Sequence, residues 1–241
     1  MDNIFDQVAR NIDRLVEENV DWAQAATPEQ LSAAREGHLT LLFGERDAVP
    51  PQWLGDLQGK RVLCLAGAGG MQGPMFACAG AQVTVLDLSS RMLALDRAVA
   101  KREGLSLRIE QGNMMDLSRF PDASFDLVFN PPSLFYVPEV NPVFREVARV
   151  LRPGGAFIMA SANPIAYVCD WDADAQCYKA VNRMPYCACE HTGQGEWIEY
   201  GHTMESYLAG QLEAGLVITG YMERQMEDIT ELYFVTRSEK R

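Results

Sequence analysis

The stretch Val62-Leu-Cys-Leu-Ala-Gly-Ala-Gly-Gly70 decides the fold of this chain. It begins as an apolar strand and passes into a turn of small residues, and a second strand-like stretch ends in Asp87. Glycine lets the backbone approach a ligand closely, the helix expected after the turn offers free N–H groups, and an acid after the next strand can bind ribose hydroxyls. The pattern therefore predicts a nucleotide-like cofactor at the edge of a parallel sheet.

From residue 61 onward, strand-like and helix-like segments alternate. Strands are predicted near 61–66, 82–87, 105–110, 125–130, 154–161, 216–222 and 231–236. Helices are predicted near 71–79, 90–103, 140–151 and 204–214. This alternation is typical of an α/β, doubly wound, mostly parallel seven-stranded sheet. Because a polar connection without a helix pattern joins the last two strands, we expect an antiparallel edge strand.

Two further regions flank or interrupt this pattern. Residues 1–58 are predicted to form a helical cap, with one amphipathic helix over 3–20 and a second running from Thr27-Pro28 to about Glu36. Residues 59–241 are then the main domain. Within it, residues 163–203 have no clear periodicity and carry four of the six cysteines. A long insertion in a compact domain is more often a lid than filler, so we expect a lid here.

The composition narrows the partners of the chain. It has 241 residues, 48% of them hydrophobic, and its formal net charge of −12 disfavours nucleic acid and anionic membranes as partners. It has no run of about 18 apolar residues, the length that a membrane-spanning helix needs. Because its first residues lack the basic and apolar regions of a signal peptide, we expect a cytoplasmic protein with reduced cysteines. The oligomeric state stays open.

The glycine turn does not match a dinucleotide fingerprint. That fingerprint requires G-x-G-x-x-G, but the sixth position counted from Gly67 is Gln72. Asp87 follows Gly67 by 20 residues, the separation expected for a ribose-binding acid. The alternative role for Asp87 is to cap the helix that starts near Ser89. We favour ribose binding because the strand before Asp87 is largely apolar.

Three further segments follow in a characteristic order. They are Gly112-Asn-Met-Met-Asp-Leu117, Phe125-Asp-Leu-Val-Phe-Asn-Pro-Pro-Ser133 and Val150-Leu-Arg-Pro-Gly-Gly155. With the glycine turn, they resemble the class I S-adenosylmethionine-dependent methyltransferases, and most closely the small-molecule group known as methyltransferase-11 or UbiE-like. The resemblance covers about residues 60–160 and, more weakly, 200–237. It implies a Rossmann-like methyltransferase fold, S-adenosyl-L-methionine as cofactor and a small-molecule acceptor.

The resemblance also implies which residues bind the cofactor. Leu88 and Met92 would flank the adenine, Asn113 would contact its amino group, and Met114 would pack on the ring. An adenine needs such apolar walls with one polar edge. The full implied set lies on the turn and at the ends of the strands: Ala66, Gly67, Ala68, Gly70, Asp87, Leu88, Met92, Asn113, Met114 and Asn130.

The turn departs from the family pattern. Most relatives have an acid where this chain has Cys64, and two frequent glycine positions are Ala66 and Ala68. Alanine tolerates positive φ poorly, so we expect the glycines of residues 67–70 to shape the turn instead. These departures keep a non-catalytic cofactor-binding protein open as an alternative, and an NAD(P)-dependent oxidoreductase is the other alternative.

Methyl transfer is an in-line displacement in which the enzyme mainly aligns donor and acceptor. The candidate catalytic residues are His38, Asn130, Tyr136 and His191. The candidate general bases are the three histidines, His38, His191 and His202. Asn130-Pro-Pro-Ser133 resembles the Asn-Pro-Pro-Tyr element of amino-group methyltransferases, which suggests N-methylation of an amide or nucleobase as an alternative. No metal is predicted, because residues 177–191 lack the C-x₂-C pair usual in zinc sites. Whether those cysteines and His191 bind anything stays open.

Overall fold

The computed structural model describes residues 3–43, 48–67, 69–187, 198–223 and 233–241. The strands are β1 Arg61–Leu65, β2 Gln82–Asp87, β3 Leu107–Gln111, β4 Phe125–Asn130, β5 Leu151–Ala162, β6 Cys169–Asp172, β7 Cys177–Ala180, β8 Tyr186–Cys187, β9 Tyr200–Gly201, β10 Leu216–Glu223 and β11 Tyr233–Lys240. The helices are α1 Ile4–Glu17, α2 Pro28–Arg35, α3 Pro51–Leu54, α4 Gln72–Cys78, α5 Ser90–Glu103, α6 Asn141–Val150, α7 Ile165–Val168 and α8 Met204–Glu213, with 3₁₀ turns at Asp21–Ala23 and Leu134–Tyr136.

Seven strands form one sheet in the order β10-β11-β5-β4-β1-β2-β3. Strands β1 to β5 pair in parallel, and β11 runs antiparallel to both of its neighbours, β5 and β10. The predicted doubly wound, mostly parallel seven-stranded sheet is therefore confirmed. The chain order changes direction at β1, between β4 and β2, which is where open α/β sheets form their binding crevice.

Local signals explain the helix boundaries near this crevice. Thr27 and Gln30 form a reciprocal capping box at α2, with Pro28 at its first position. Ser89 caps α5 by accepting from the backbone N–H of Met92 at 3.0 Å. Gly104 ends α5 in the left-handed conformation.

The core has two layers because both faces of the parallel strands are covered. On one face, α2, α4 and α5 pack through residues such as Leu31, Phe76 and Leu93. On the other, α6 and α8 pack through residues such as Phe144 and Tyr207. The carboxyl ends of β1, β2 and β4 lie between these layers, and they position the site.

A third apolar cluster joins α1 to the end of this sheet. We call it the α1 cluster, and its buried members are Val8, Ile12, Ala23, Met92 and Ile198. The described part of residues 163–203 contains α7 and the antiparallel hairpin β6–β7, which have no periodic pattern in the sequence. In the described part of the chain, no helix is long and apolar enough to cross a membrane.

Candidate active site

The turn after β1 is shaped partly by an alanine. Ala66 has φ +49°, and Gly69 and Gly70 have φ +49° and +82°. Gly67 is not among the residues with positive φ, so the expectation that glycines alone shape the turn is wrong. A non-glycine residue in this region is strained by about 1–2 kcal/mol, and such strain concentrates at functional turns. The N–H of Ala66 donates to the carbonyl of Leu86 at 2.8 Å, which ties the turn to β2.

Close packing on α5 explains the glycines that follow. A Cβ added at Gly69 would lie 2.6 Å from Sδ of Met92 and 2.9 Å from Cδ1 of Leu95. One added at Gly70 would lie 3.1 Å from the backbone oxygen of Leu95. Glycine at 69 and 70 is therefore required by the approach of the helix as well as by backbone conformation.

Asp87 ends β2 as a buried carboxylate. Its Oδ1 accepts from the backbone N–H of Ser89 at 2.8 Å. The N-cap of α5 is Ser89, so Asp87 is not needed for the alternative role of capping this helix. Burial raises the pKa of Asp87 to about 7, although the Ser89 N–H opposes the shift. A carboxylate desolvated in this way is ready to accept hydrogen bonds from ligand hydroxyls.

Asp13, which no sequence pattern points to, brings α1 onto this site. Its carboxylate accepts hydrogen bonds from the hydroxyls of Ser89 and Ser90 and from the backbone N–H of Arg91, the last at 3.2 Å. These contacts anchor α1 at the start of α5, where an acid also complements the helix dipole. No local pattern identifies Asp13, because its role depends on how α1 packs against α5.

The residues predicted to hold an adenine lie at the ends of β2 and β3 and at the start of α5. Met92 is a buried member of the α1 cluster, and Leu88 packs against it. The backbone N–H of Gly112 donates to the carbonyl of Asp87 at 2.9 Å, which joins the ends of β2 and β3. One residue further on, the side-chain oxygen of Asn113 accepts from the N–H of Met115 at 2.9 Å. Met114 is buried in the core on the α6 side of the sheet.

Asn130 ties together the ends of β4 and β1. It is fully buried, and its Nδ2 donates to the carbonyl of Leu65 at 3.0 Å and to Oγ of Ser133 at 2.8 Å. The Ser133 hydroxyl donates in turn to the carbonyl of Pro131 at 3.0 Å. Oδ1 of Asn130 has no hydrogen-bond partner among the described residues. A buried oxygen of this kind is costly to the fold, and a ligand donor placed beside it would satisfy it.

Tyr136 and the insertion approach the same end of the sheet. Tyr136 and Tyr200 both pack against the α1 cluster. Burial raises the pKa of Tyr136 far above its usual range, and the nearby charge of Glu199 adds to the shift. Glu199 also lies beside Tyr167, with 3.4 Å between Oε2 and the phenol oxygen. Neither Glu199 nor Tyr167 is marked by a sequence pattern, since residues 163–203 lack periodicity.

The three histidines have different surroundings. His38 is exposed just beyond α2, and its backbone N–H donates to the carbonyl of Ala33 at 2.8 Å. His202 is buried, and its Nε2 lies 3.2 Å and 2.9 Å from the carbonyls of Leu134 and Val137, so it supports the turn that carries Tyr136. Burial lowers the pKa of His202. His191 and Ala68 lie outside the described residues.

One cysteine differs from the expectation of six reduced thiols. Cys187 is disulfide-bonded, whereas Cys64, Cys78, Cys169 and Cys177 are free. Among the described residues, no group of three or more His, Cys, Asp or Glu side chains is arranged to hold a metal ion.

Comparison with known proteins places this geometry in a family. A family model described as a methyltransferase domain matches residues 63–159, from β1 to β5. An uncharacterized methyltransferase, YbaJ, of Bacillus subtilis (strain 168) is 35% identical over 242 residues, covering 95% of each chain. The chain belongs to the class I S-adenosylmethionine-dependent methyltransferases.

Other comparisons extend this result. A ubiquinone biosynthesis O-methyltransferase of Xanthomonas oryzae pv. oryzae (strain PXO99A) is 32% identical over 108 residues, 45% of each chain. A crystal structure of an S-adenosylmethionine dependent methyltransferase from Mesorhizobium loti has the same fold, with a TM-score of 0.68 and 22% identity over 78% of this chain and 94% of that one. The cofactor of this methyltransferase is therefore S-adenosylmethionine, and the NAD(P)-dependent alternative is set aside.

The described residues of the methyltransferase fit this cofactor chemically. S-Adenosylmethionine carries ribose hydroxyls, an ammonium group and an electrophilic methyl group on a sulfonium. The buried carboxylate of Asp87 and the unpartnered Oδ1 of Asn130 are acceptors that such groups can satisfy. The buried Met92 and the neighbouring Leu88 offer the apolar surface that an adenine requires.

Proposed function

We propose that this methyltransferase methylates a small-molecule acceptor, which binds where α1, the Leu134–Tyr136 turn and residues 198–200 meet. The α1 cluster is the main support for this proposal. It joins Met92, which is assigned to the cofactor, to Ile198 in the segment 163–203, and Tyr136 and Tyr200 pack against it. The formal net charge of −12 supports a small acceptor over nucleic acid.

The cofactor-binding roles follow from position and chemistry. Asp87 accepts the ribose hydroxyls, and the turn from Ala66 to Gly70 receives the methionine end of the cofactor. Leu88 and Met92 flank the adenine, Asn113 contacts its amino group, and Met114 packs on the ring. Support comes from the hydrogen bond that brings Gly112 against Asp87, since it sets residues 111–114 beside the end of β2.

The segment 1–58 acts as a helical cap and 163–203 as a lid. Asp13 holds α1 over the start of α5, and Ile198 packs into the same cluster. Together the two segments cover the carboxyl ends of the strands and exclude water from the reacting groups. Exclusion of water strengthens the electrostatic interactions that align donor and acceptor.

Of the candidate catalytic residues, Asn130 and Tyr136 have the stronger support. Asn130 presents an unpartnered oxygen, and Tyr136 stays protonated at neutral pH because burial raises its pKa. Tyr136 therefore lines the acceptor pocket as a neutral phenol rather than as a base. His38 and His191 stay predictions, the first on an exposed residue and the second outside the described residues.

N-methylation of an amide or nucleobase has weaker support. A grip on an amino group would use both the side-chain oxygen of Asn130 and the carbonyl of Pro131. The Ser133 hydroxyl already donates to the Pro131 carbonyl at 3.0 Å. Residues 130–133 are therefore better explained as a rigid turn after β4, in which the prolines restrict the backbone.

The cofactor site is tested by calorimetric titration with S-adenosylhomocysteine and NAD. We expect the wild-type protein to bind the first and not the second. Asp87→Ala should weaken binding of S-adenosylhomocysteine by about 1–3 kcal/mol, since the ribose hydroxyls would lose a buried partner. The matched control is Asp116→Ala, which removes an exposed carboxylate from the loop after β3. Equal affinity of the two variants would show that Asp87 does not bind the cofactor.

The acceptor is tested by release of S-adenosylhomocysteine from S-adenosylmethionine in the presence of phenols, thiols, amines and carbon acids. Tyr136→Phe should slow turnover of the accepted compound without changing affinity for the cofactor. Cofactor binding with no turnover on any compound would instead favour the non-catalytic alternative.

A further inference from the structure

A second buried carboxylate lies behind the glycine turn. Asp96, on α5, is 1% exposed, and its Oδ1 has no hydrogen-bond partner in the described part of the chain. Burial raises the pKa of Asp96 to about 8, and the charge of Asp87 adds to this, while a hydrogen bond from the backbone of Gly70 opposes it. Asp96 is thus in contact with the turn but is none of the residues assigned to the cofactor above.

Asp96 lies between the glycine turn and α4, on the side of α5 that faces them. Its Oδ1 lies 3.3 Å from the position that a Cβ would take at Gly73. Burial raises the pKa of Cys64, and the charge of Asp96 adds to this shift, which places the carboxylate near the end of β1 as well. Gln72, the first residue of α4, is 5% exposed and also has an unpartnered oxygen. Polar atoms therefore collect directly behind residues 69–73.

Stability does not account for this arrangement. A carboxylate buried with one oxygen unpaired is destabilising, and replacing such a group with an apolar residue is often neutral or stabilising. The neighbours of Asp96 on the same face of α5, Leu93 and Val99, are ordinary apolar core residues. A buried carboxyl group at a position that suits an apolar residue, next to the glycine turn, indicates a functional requirement.

We propose that Asp96 is a positioning residue for the methyl donor, whose carboxylate holds the backbone N–H of Gly70 from behind and so fixes the turn for the methionine end. Asp96 does not itself touch the reacting atoms. It acts on the left-handed backbone of Gly69 and Gly70, which α5 already confines from the same side. This inference rests on the proposed assignment of residues 66–70 to the methionine end.

The test compares a whole ligand with a truncated one. S-Adenosylhomocysteine carries the amino-acid portion, whereas 5′-methylthioadenosine lacks it but keeps the nucleoside. Asp96→Ala should weaken binding of S-adenosylhomocysteine about tenfold, the effect of losing one hydrogen bond to the turn. Binding of 5′-methylthioadenosine should stay within about twofold, and the melting temperature should not fall. Asp96→Asn, which keeps an acceptor oxygen, should restore most of the affinity.

Asn141→Ala is the matched control, because it also removes a buried unpartnered oxygen but lies on α6, on the other side of the sheet. It should leave both affinities unchanged. Failure of the wild-type protein to bind S-adenosylhomocysteine would refute the cofactor site itself. If the wild type binds, the role of Asp96 is refuted by unchanged affinity in Asp96→Ala, by equal weakening of both ligands, by a lowered melting temperature, or by failure of Asp96→Asn to rescue.

Discussion

Gly69→Ala tests how tightly α5 packs on the glycine turn. The new Cβ would lie 2.6 Å from Sδ of Met92 and 2.9 Å from Cδ1 of Leu95, on a backbone with φ +49°. The left-handed backbone destabilises a non-glycine residue by about 1–2 kcal/mol. Overpacking adds about 1–3 kcal/mol, toward the lower end because both contacted atoms belong to flexible side chains.

A smaller effect acts in the opposite direction. Alanine restricts the unfolded chain more than glycine does, which stabilises the folded state by about 0.4–1 kcal/mol. Adding these contributions, we expect Gly69→Ala to lower the free energy of unfolding by about 2–3 kcal/mol.

Gly104→Ala is the matched control for backbone strain. Gly104 ends the same helix with φ +65°, but a Cβ there would meet nothing within 4 Å. Gly104→Ala should therefore lower the free energy of unfolding through backbone strain alone. The expected loss is about 1 kcal/mol once the stabilising effect of alanine on the unfolded chain is subtracted. The difference between the two variants isolates the contact between α5 and the turn.

Urea denaturation followed by tryptophan fluorescence measures both free energies of unfolding. Gly69→Ala should also weaken binding of S-adenosylhomocysteine, because the contact displaces the turn from α5, whereas Gly104→Ala should not. If the two variants lose the same free energy of unfolding, the turn is not packed against α5 and the explanation for glycine at position 69 fails.

Three further predictions concern pH, the cap and the aromatic turn. In the folded state the pKa values of Asp87 and Asp96 are raised to about 7 and about 8, so both carboxyls keep protons that the unfolded chain releases. The contribution of these two groups to the free energy of unfolding therefore falls as pH rises from about 4 to about 8. Melting curves across this pH range measure the effect. Replacing Asp87 and Asp96 with Asn should reduce the fall in stability with pH, and an unchanged pH dependence would contradict the raised pKa values of the two residues. Asp13→Ala should make residues 3–17 more sensitive to limited proteolysis than the exposed-site control Asp6→Ala, and equal cleavage would argue against an anchored α1. His202→Ala should lower the free energy of unfolding by about 2–3 kcal/mol, since two buried carbonyls lose their donor, and a loss below about 0.5 kcal/mol would mean that they are otherwise satisfied.

The fold was predictable from sequence because its signals are local. Apolar runs such as 62–65 and 83–86, separated by helix patterns, determine a parallel sheet without knowledge of distant contacts. Cap residues such as Thr27 and Ser89 mark helix starts within one or two positions. The hairpin β6–β7 escaped prediction because its strands are mostly exposed and lack alternating burial.

The candidate site was predictable only where its residues follow strands. Asp87 could be singled out because an acid at the end of an apolar strand is a local pattern. Asp13 and Asp96 could not, since each acts through the approach of one helix to another element. The conformation of Ala66 was also inaccessible, because propensity disfavours alanine at positive φ and tertiary contacts override it.

The position of β11 has a consequence for synthesis of the chain on the ribosome. β11 lies between β5 and β10 in the sheet, although both of those strands precede it in sequence. Until residues 233–240 emerge, β10 has no partner in the sheet and one edge of β5 is left with unpaired N–H and C=O groups. An open edge of this kind invites pairing with other chains. We therefore expect an interval of increased aggregation risk between completion of β10 and completion of β11.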